Sequence, residues 1–118
     1  MNVKDLHDWQ VTTAQAEAIQ RRLATLVSTK SEVAAPQLIA GVDISPPNAQ
    51  GIATGAVVVL SYPQLRVMEV KVARQSVVFP YVPGLLSFRE SPLILAACQK
   101  LSLAPDLVLV DGQGIAHP

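Results

Sequence analysis

Three scarcities narrow the field before any motif is read. Cysteine occurs once in 118 residues, as Cys98, so there is no disulfide framework and no cysteine-based metal site, and a reducing cytoplasmic setting fits. Charge is sparse and even. Nine Lys plus Arg face nine Asp plus Glu, so no global basic field advertises nucleic acid, and any phosphate contact must be local. Long hydrophobic runs are missing as well: no apolar core of signal-peptide length follows Met1, and no uncharged stretch is long enough to span a bilayer. The expectation is a soluble, cytoplasmic protein with no membrane partner. Internal repeats, low-complexity tracts and charge blocks are also absent.

What is there is apolar. Half the residues are hydrophobic and 15% are charged, a balance that implies surface meant to be covered. The length allows one small domain with a core of its own. After a polar lead-in over residues 1–11, Thr12-Thr13-Ala14-Gln15 supplies a capping signal for an amphipathic helix to about Ser28, with Ile19, Leu23, Leu26 and Val27 on one face. Leu38-Ile39-Ala40-Gly41-Val42-Asp43-Ile44 is a compact apolar run with one acid, closed by Ser45-Pro46-Pro47-Asn48, and reads as a buried strand. A second strand over Gly51 to Leu60 forms a hairpin with it. A third, from Leu65 to Ala73, shifts its alternation and predicts a bulge near Val67 or Met68.

Pro80-Tyr81-Val82-Pro83-Gly84 cannot join a sheet ladder, because its prolines fix φ and remove donors, so the loop should project the Tyr81 ring. A helix follows from Leu86 or Ser87 to about Leu101. Its start reads either as a capping box of Ser87 with Glu90, or as Ser91 capping a helix with Pro92 in its first turn. Leu107-Val108-Leu109-Val110-Asp111-Gly112 then has the near-continuous apolar pattern of a strand in a parallel sheet. Strand, helix and strand imply a crossover.

Asp43, Glu90 and Asp111 each interrupt or end an apolar element, where an unpaired carboxylate is costly. If the first and last strands are neighbours, Asp43 and Asp111 meet at the carboxyl end of the sheet and the helix brings Glu90 to them. Hard oxygen donors of that kind suit Mg²⁺ or Mn²⁺, and such an ion supports hydrolysis of a phosphodiester. The structural alternatives are a backbone hydrogen bond for Asp43, a cap for Glu90 and a turn for Asp111. His117 is a candidate phosphate contact, His7 reads as bland, and Gly112-Gln113-Gly114 lacks the spacing of a nucleotide-binding fingerprint. Trp9, Tyr62 and Cys98 read as packing residues.

Taken together, Gly41-Val42-Asp43, Pro80 to Glu90, and Val110-Asp111-Gly112-Gln113-Gly114-Ile115-Ala116-His117-Pro118 resemble the endonuclease V family, the inosine-directed repair nucleases, over the N-terminal part of the family's length. The resemblance implies a ribonuclease H-like α/β fold: a mixed sheet of three antiparallel strands, a helix and a parallel strand, with an N-terminal helix. It implies that Asp43 and Asp111 ligate Mg²⁺, with Mn²⁺ as the substitute, and that Glu90 completes the cluster directly or through water. Pro80, Tyr81, Val82 and Pro83 would form a strand-separating wedge. Gly84, Leu85, Leu86 and Gly112 would line a pocket for a base turned out of the stack.

The implied reaction cuts the second phosphodiester bond 3′ to deoxyinosine in DNA, with inosine in RNA as the competing substrate and a monomer as the full-length form. Gln113 stands where many members carry histidine. A later lysine and a further metal-site acid or histidine have no counterpart within residues 1–118, so the chain is expected to be one incomplete nuclease domain, slow or inactive alone. The alternative is a non-catalytic remnant that binds inosine-containing nucleic acid.

Overall fold

β1 (Leu38–Ile44) is flanked on both sides. It pairs antiparallel with β2 (Ile52–Ser61) and parallel with β4 (Leu107–Val110), while β3 (Val67–Ser76) extends the sheet beyond β2, giving the order β3-β2-β1-β4. A computed structural model describes residues 1–112. These form the expected mixed α/β sheet of three antiparallel strands and one parallel strand, with α1 (Thr13–Ala24) ahead of it and α2 (Leu86–Gln99) in the crossover between β3 and β4.

One face of the sheet is dry. Ala53, Gly55, Val57 and Val59 alternate inward along β2, beside Ala40 and Val42 of β1, as the period of two requires. α2 covers them with Leu93, Ala97 and Cys98, and Leu101 follows in the same cluster. The helix comes down onto Gly55, where a Cβ would stand 2.8 Å from Leu93 Cγ and 3.1 Å from its carbonyl oxygen. Only glycine permits that approach. On the opposite face Val70, Val72, Leu107 and Leu109 are exposed, in agreement with the apolar composition.

The bulge lies where the alternation of β3 shifts. Val59 pairs with Glu69 but Leu60 pairs with Val67, leaving Met68 as the extra residue. The crossover is also as expected, with Val42 opposite Val110 in the parallel ladder.

Three local expectations are corrected. α1 has the predicted reciprocal cap between Thr12 and Gln15 but stops at Ala24, so Leu26 and Val27 lie outside it and are exposed. The polar lead-in over residues 1–11 is tied to the domain: the Met1 ammonium donates to the Leu101 carbonyl at 2.6 Å, Val3 packs on the main core, and Trp9 and Val11 pack on a second one. Tyr62 is exposed rather than packed.

α2 begins at Leu86 with Leu85 as N-cap and no side-chain cap, and Pro92 lies inside it. Neither the Ser87 box nor the Ser91 cap therefore starts the helix. Tertiary packing sets its start, because Leu85 is buried with Phe79, Phe88 and Ala16 in the second core. Phe88 stacks there against Trp9 and Phe79, with centroids 5.4 and 5.6 Å away. This cluster grips the proline loop through Phe79 before it, Val82 within it and Leu85 after it.

Candidate active site

The register of β1 against β4 positions the first two acids. Val42 lies opposite Val110 in the last pair of the ladder, so Asp43 and Asp111 are the residues that follow it, one on each of the two neighbouring chains. Both are exposed at the carboxyl end of the sheet. Glu90 arrives from the second turn of α2 and is part-buried. With no capping role, its carboxylate has no stabilising donor among the described residues.

Glu90 titrates above its ordinary value of 4.5: burial contributes most, then the charges of Asp43 and Asp111, while Arg89 opposes them. The three acids therefore lie within electrostatic reach of one another, from strand, helix and strand. Asp43 is only partly satisfied, its Oδ1 accepting the N–H of the adjacent Ile44 at 2.8 Å.

A cavity of about 440 Å³ opens beside Glu90 and Asp111, walled by Tyr81, Val82, Pro83, Gly84, Leu86, Ser87, Ile94 and Gly112, with Gln20 reaching in from α1. Of the residues expected to line a base pocket, Gly84, Leu86 and Gly112 do so; the Leu85 side chain is turned into the second core. Tyr81 stands at its rim, 69% exposed, with the Arg89 guanidinium 5.8 Å from the ring centroid. Pro80 faces a different and larger cavity of about 700 Å³, lined by residues including Trp9, Gln75, Phe79 and Arg89. No Asp or Glu lines that one, so the smaller cavity is the candidate for chemistry. His117, Gln113 and Gly114 lie outside the described residues.

Among the described residues, no three His, Cys, Asp or Glu side chains stand close enough together to hold a metal ion. The donor chemistry nevertheless fits a hard divalent cation: the set is all carboxylate oxygen, and the mutual repulsion that raises Glu90 is what a cation would relieve. Asp43 and Asp111 are the residues that would hold it, with Glu90 behind them.

Sequence reasoning did not anticipate two further acids or a glutamine. Asp106 Oδ2 accepts the N–H groups of Gln37 and Leu38 at 2.9 and 3.0 Å, tying the start of β4 to that of β1. Glu69 on β3 accepts from Ser102 N at 2.9 Å and Leu103 N at 2.9 Å, holding the chain after α2. Gln20 Nε2 donates to the Gly84 carbonyl at 2.9 Å. Their partners are far away in sequence, and no local pattern signals them.

A ribonuclease H-like sheet with carboxylates gathered at the carboxyl ends of its first and last strands defines the general class. Comparison with known proteins is more specific. The Endonuclease V family profile matches residues 21–118, and the chain belongs to that family. It is 45% identical over 118 residues to Endonuclease V of Dehalococcoides mccartyi, covering 100% of this chain and 53% of that protein. It is 47% identical over 115 residues to Endonuclease V of Gloeobacter violaceus, covering 96% and 47%. Among solved structures, Endonuclease V of Streptomyces avermitilis superimposes with a TM-score of 0.84 at 38% identity, over 93% of this chain and 49% of that one.

Endonuclease V of Ciona intestinalis, crystallised with a 24mer DNA containing an inosine followed by a ribo-adenosine, gives a TM-score of 0.75 at 25% identity over 88% and 47%. The chain thus spans about half the length of the curated relatives it matches. No helix among the described residues is long and apolar enough to cross a membrane.

Proposed function

We propose that residues 1–118 form one domain of a divalent-metal-dependent DNA repair endonuclease that cuts the second phosphodiester bond 3′ to deoxyinosine. The observation that carries this reading is that Glu90 and Asp111 line a cavity whose rim bears exposed Tyr81, with Asp43 near enough for its charge to act on Glu90. Family membership and the inosine-containing DNA bound by the Ciona relative support the substrate. Inosine in DNA is the primary substrate, and inosine in RNA the competing one.

In this reading Tyr81, braced by Arg89 and held between Pro80 and Pro83, enters the stack and fills the space that a turned-out base leaves. The base enters the cavity at Gly84 and Leu86, where a glycine lets it approach the backbone closely. Asp43 and Asp111 would hold Mg²⁺, or Mn²⁺ in its place, and Glu90 would orient a water and accept its proton. The cation would supply electrostatic stabilisation of the charge that builds on the phosphodiester.

A second reading draws on the spacing of the acids, which do not form a closed metal site among the described residues. It is a non-catalytic binder of inosine-containing nucleic acid. One experiment separates the two. The chain is incubated with a 5′-labelled oligonucleotide carrying a single deoxyinosine, in Mg²⁺ and in EDTA, with the adenosine oligonucleotide as control. Mg²⁺-dependent product ending one nucleotide beyond the lesion establishes the nuclease. Inosine-selective binding without cleavage favours the binder, and equal binding to both oligonucleotides overturns both readings.

A further inference from the structure

The two cavities lie back to back. They share no lining residue, and the wall between them is α2 with the loop that precedes it. At about 100° of turn per residue, Ser87, Glu90, Ser91 and Ile94 fall on one side of the helix and line the acidic cavity. Phe88, Arg89 and Pro92 fall on the other side and line the larger one. The loop divides in the same way, with Pro80 on the larger cavity and Tyr81 on the acidic one. A loop driven into a duplex at Tyr81 therefore has a space on each flank.

The two spaces differ in chemistry. Glu90 and Asp111 make the smaller one repel a phosphate until a cation is bound. The larger, about 700 Å³ and within the size range of small-molecule sites, has Arg89 as its one charged lining residue. Of its aromatic residues Phe79 and Phe88 are buried, whereas Trp9 keeps exposed surface. Gln10 and Gln75 add exposed amides to its wall. A cation, an aromatic surface and amides that both donate and accept suit a nucleotide whatever its base.

Resting on the wedge reading above, we propose that the larger cavity receives the nucleotide that faces the lesion on the complementary strand. Entry of Tyr81 takes inosine out of the stack and leaves its partner unpaired. The lesion strand passes to the side of α2 that carries the carboxylates. The partner base passes to the acid-free side, stacks on Trp9 and sets its phosphate beside Arg89. The partition thereby keeps the intact strand away from the carboxylates and confines cutting to the damaged one.

The test measures affinities by fluorescence anisotropy in EDTA, for a single-stranded oligonucleotide carrying one deoxyinosine and for two duplexes of it, with cytidine or an abasic site opposite. Ratios are compared between variants, so that the energetics of the DNA itself cancel. Trp9→Leu should lower the cytidine-to-abasic ratio about five- to tenfold, the lower range for one stacked base, and leave single-strand affinity unchanged. Because Trp9 also packs in the second core, the Val78 position supplies an independent arm: Val78 lines the larger cavity and is 80% exposed. Val78→Asp should lower the duplex-to-single-strand ratio about fivefold, and Val78→Lys should raise it. A general loss of affinity in Trp9→Leu reports damage to the fold, and the Val78 pair then decides. A cytidine-to-abasic ratio unmoved by Trp9→Leu, or Val78 variants that shift duplex and single strand equally or not at all, overturns this inference alone if the wild type still prefers inosine to adenosine. A wild type without that preference overturns the wedge and pocket reading and this inference with it.

Discussion

The two ends of β1 treat acids in opposite ways. At its start, Asp106 is satisfied by two backbone N–H groups and Glu69, nearby on β3, by those of Ser102 and Leu103. Both carboxyls titrate below their ordinary values, first because of those hydrogen bonds. At the other end Asp43 and Asp111 stand on adjacent strands and Glu90 is held above its ordinary value by burial and by their charges. The first set joins elements and stabilises the fold. The second works against it, and a chain keeps electrostatic conflict of that kind where a ligand is to resolve it. The contrast separates satisfied from conflicted acids without reference to family.

The largest expected effect tests the conflicted end. Asp111→Asn removes a proposed ligand and should weaken Mg²⁺ or Mn²⁺ binding by about a hundredfold or more, since even outer-shell changes cost ten- to a hundredfold. Isothermal titration measures it. The same substitution relieves repulsion, so the melting temperature at pH 7 should hold or rise; a marked fall would place Asp111 with the structural acids and erase the contrast.

Next in size is the packing that delivers Glu90. Gly55→Val drives a side chain into Leu93 and should destabilise the domain by about 1–3 kcal/mol, read from urea unfolding. Because α2 must shift to make room, the metal response should weaken too. If stability falls while metal affinity is unchanged, the position of Glu90 does not depend on this contact.

Titration sharpens the comparison further. Glu90 is raised above 4.5, so the folded state holds its proton more tightly than the unfolded chain. Its contribution to stability is present in full below the unfolded value and is lost as pH rises through the raised folded value. Carboxyl NMR should show Glu90 titrating late, earlier in Asp111→Asn, and earlier again when Mg²⁺ is added to the wild type. Metal affinity should climb with pH across the same interval. A Glu90 titration that ignores Asp111→Asn would remove the electrostatic link between helix and strand.

Much of the functional end was legible because its cues are local. Asp43 breaks an apolar run bounded by Ser45-Pro46-Pro47, Asp111 ends one, and Pro80 to Pro83 cannot belong to a ladder. The shift of alternation at Met68 likewise betrayed the bulge. The structural end was illegible for the converse reason. Asp106 finds its partners 68 and 69 positions away, Glu69 finds its own 33 and 34 positions away, and Gln20 reaches across 64. Such bonds exist only once the sheet has formed. The start of α2 misled for a related reason: Ser87 and Ser91 look like caps, but burial of Leu85 against Phe79 and Phe88 decides where the helix begins.

The smallest effect is expected at the satisfied end, and its pH dependence makes it decisive. Asp106→Ala leaves the N–H groups of Gln37 and Leu38 to solvent, and because the site is exposed, water replaces much of what is lost. The melting temperature at pH 7 should fall modestly, less than in Gly55→Val. Asp106 titrates below its ordinary 3.8, so its contribution is present above the unfolded value and disappears as pH falls through the depressed folded value. The difference between wild type and Asp106→Ala should therefore shrink toward zero in acid, in the direction opposite to Glu90, whose contribution fades as pH rises. A difference that persists in acid would mean that the side chain acts by packing rather than as an ionised acceptor. If Asp106→Ala instead altered metal affinity, the start of β1 would be coupled to its far end, and the division of the sheet into a satisfied end and a conflicted one would fail.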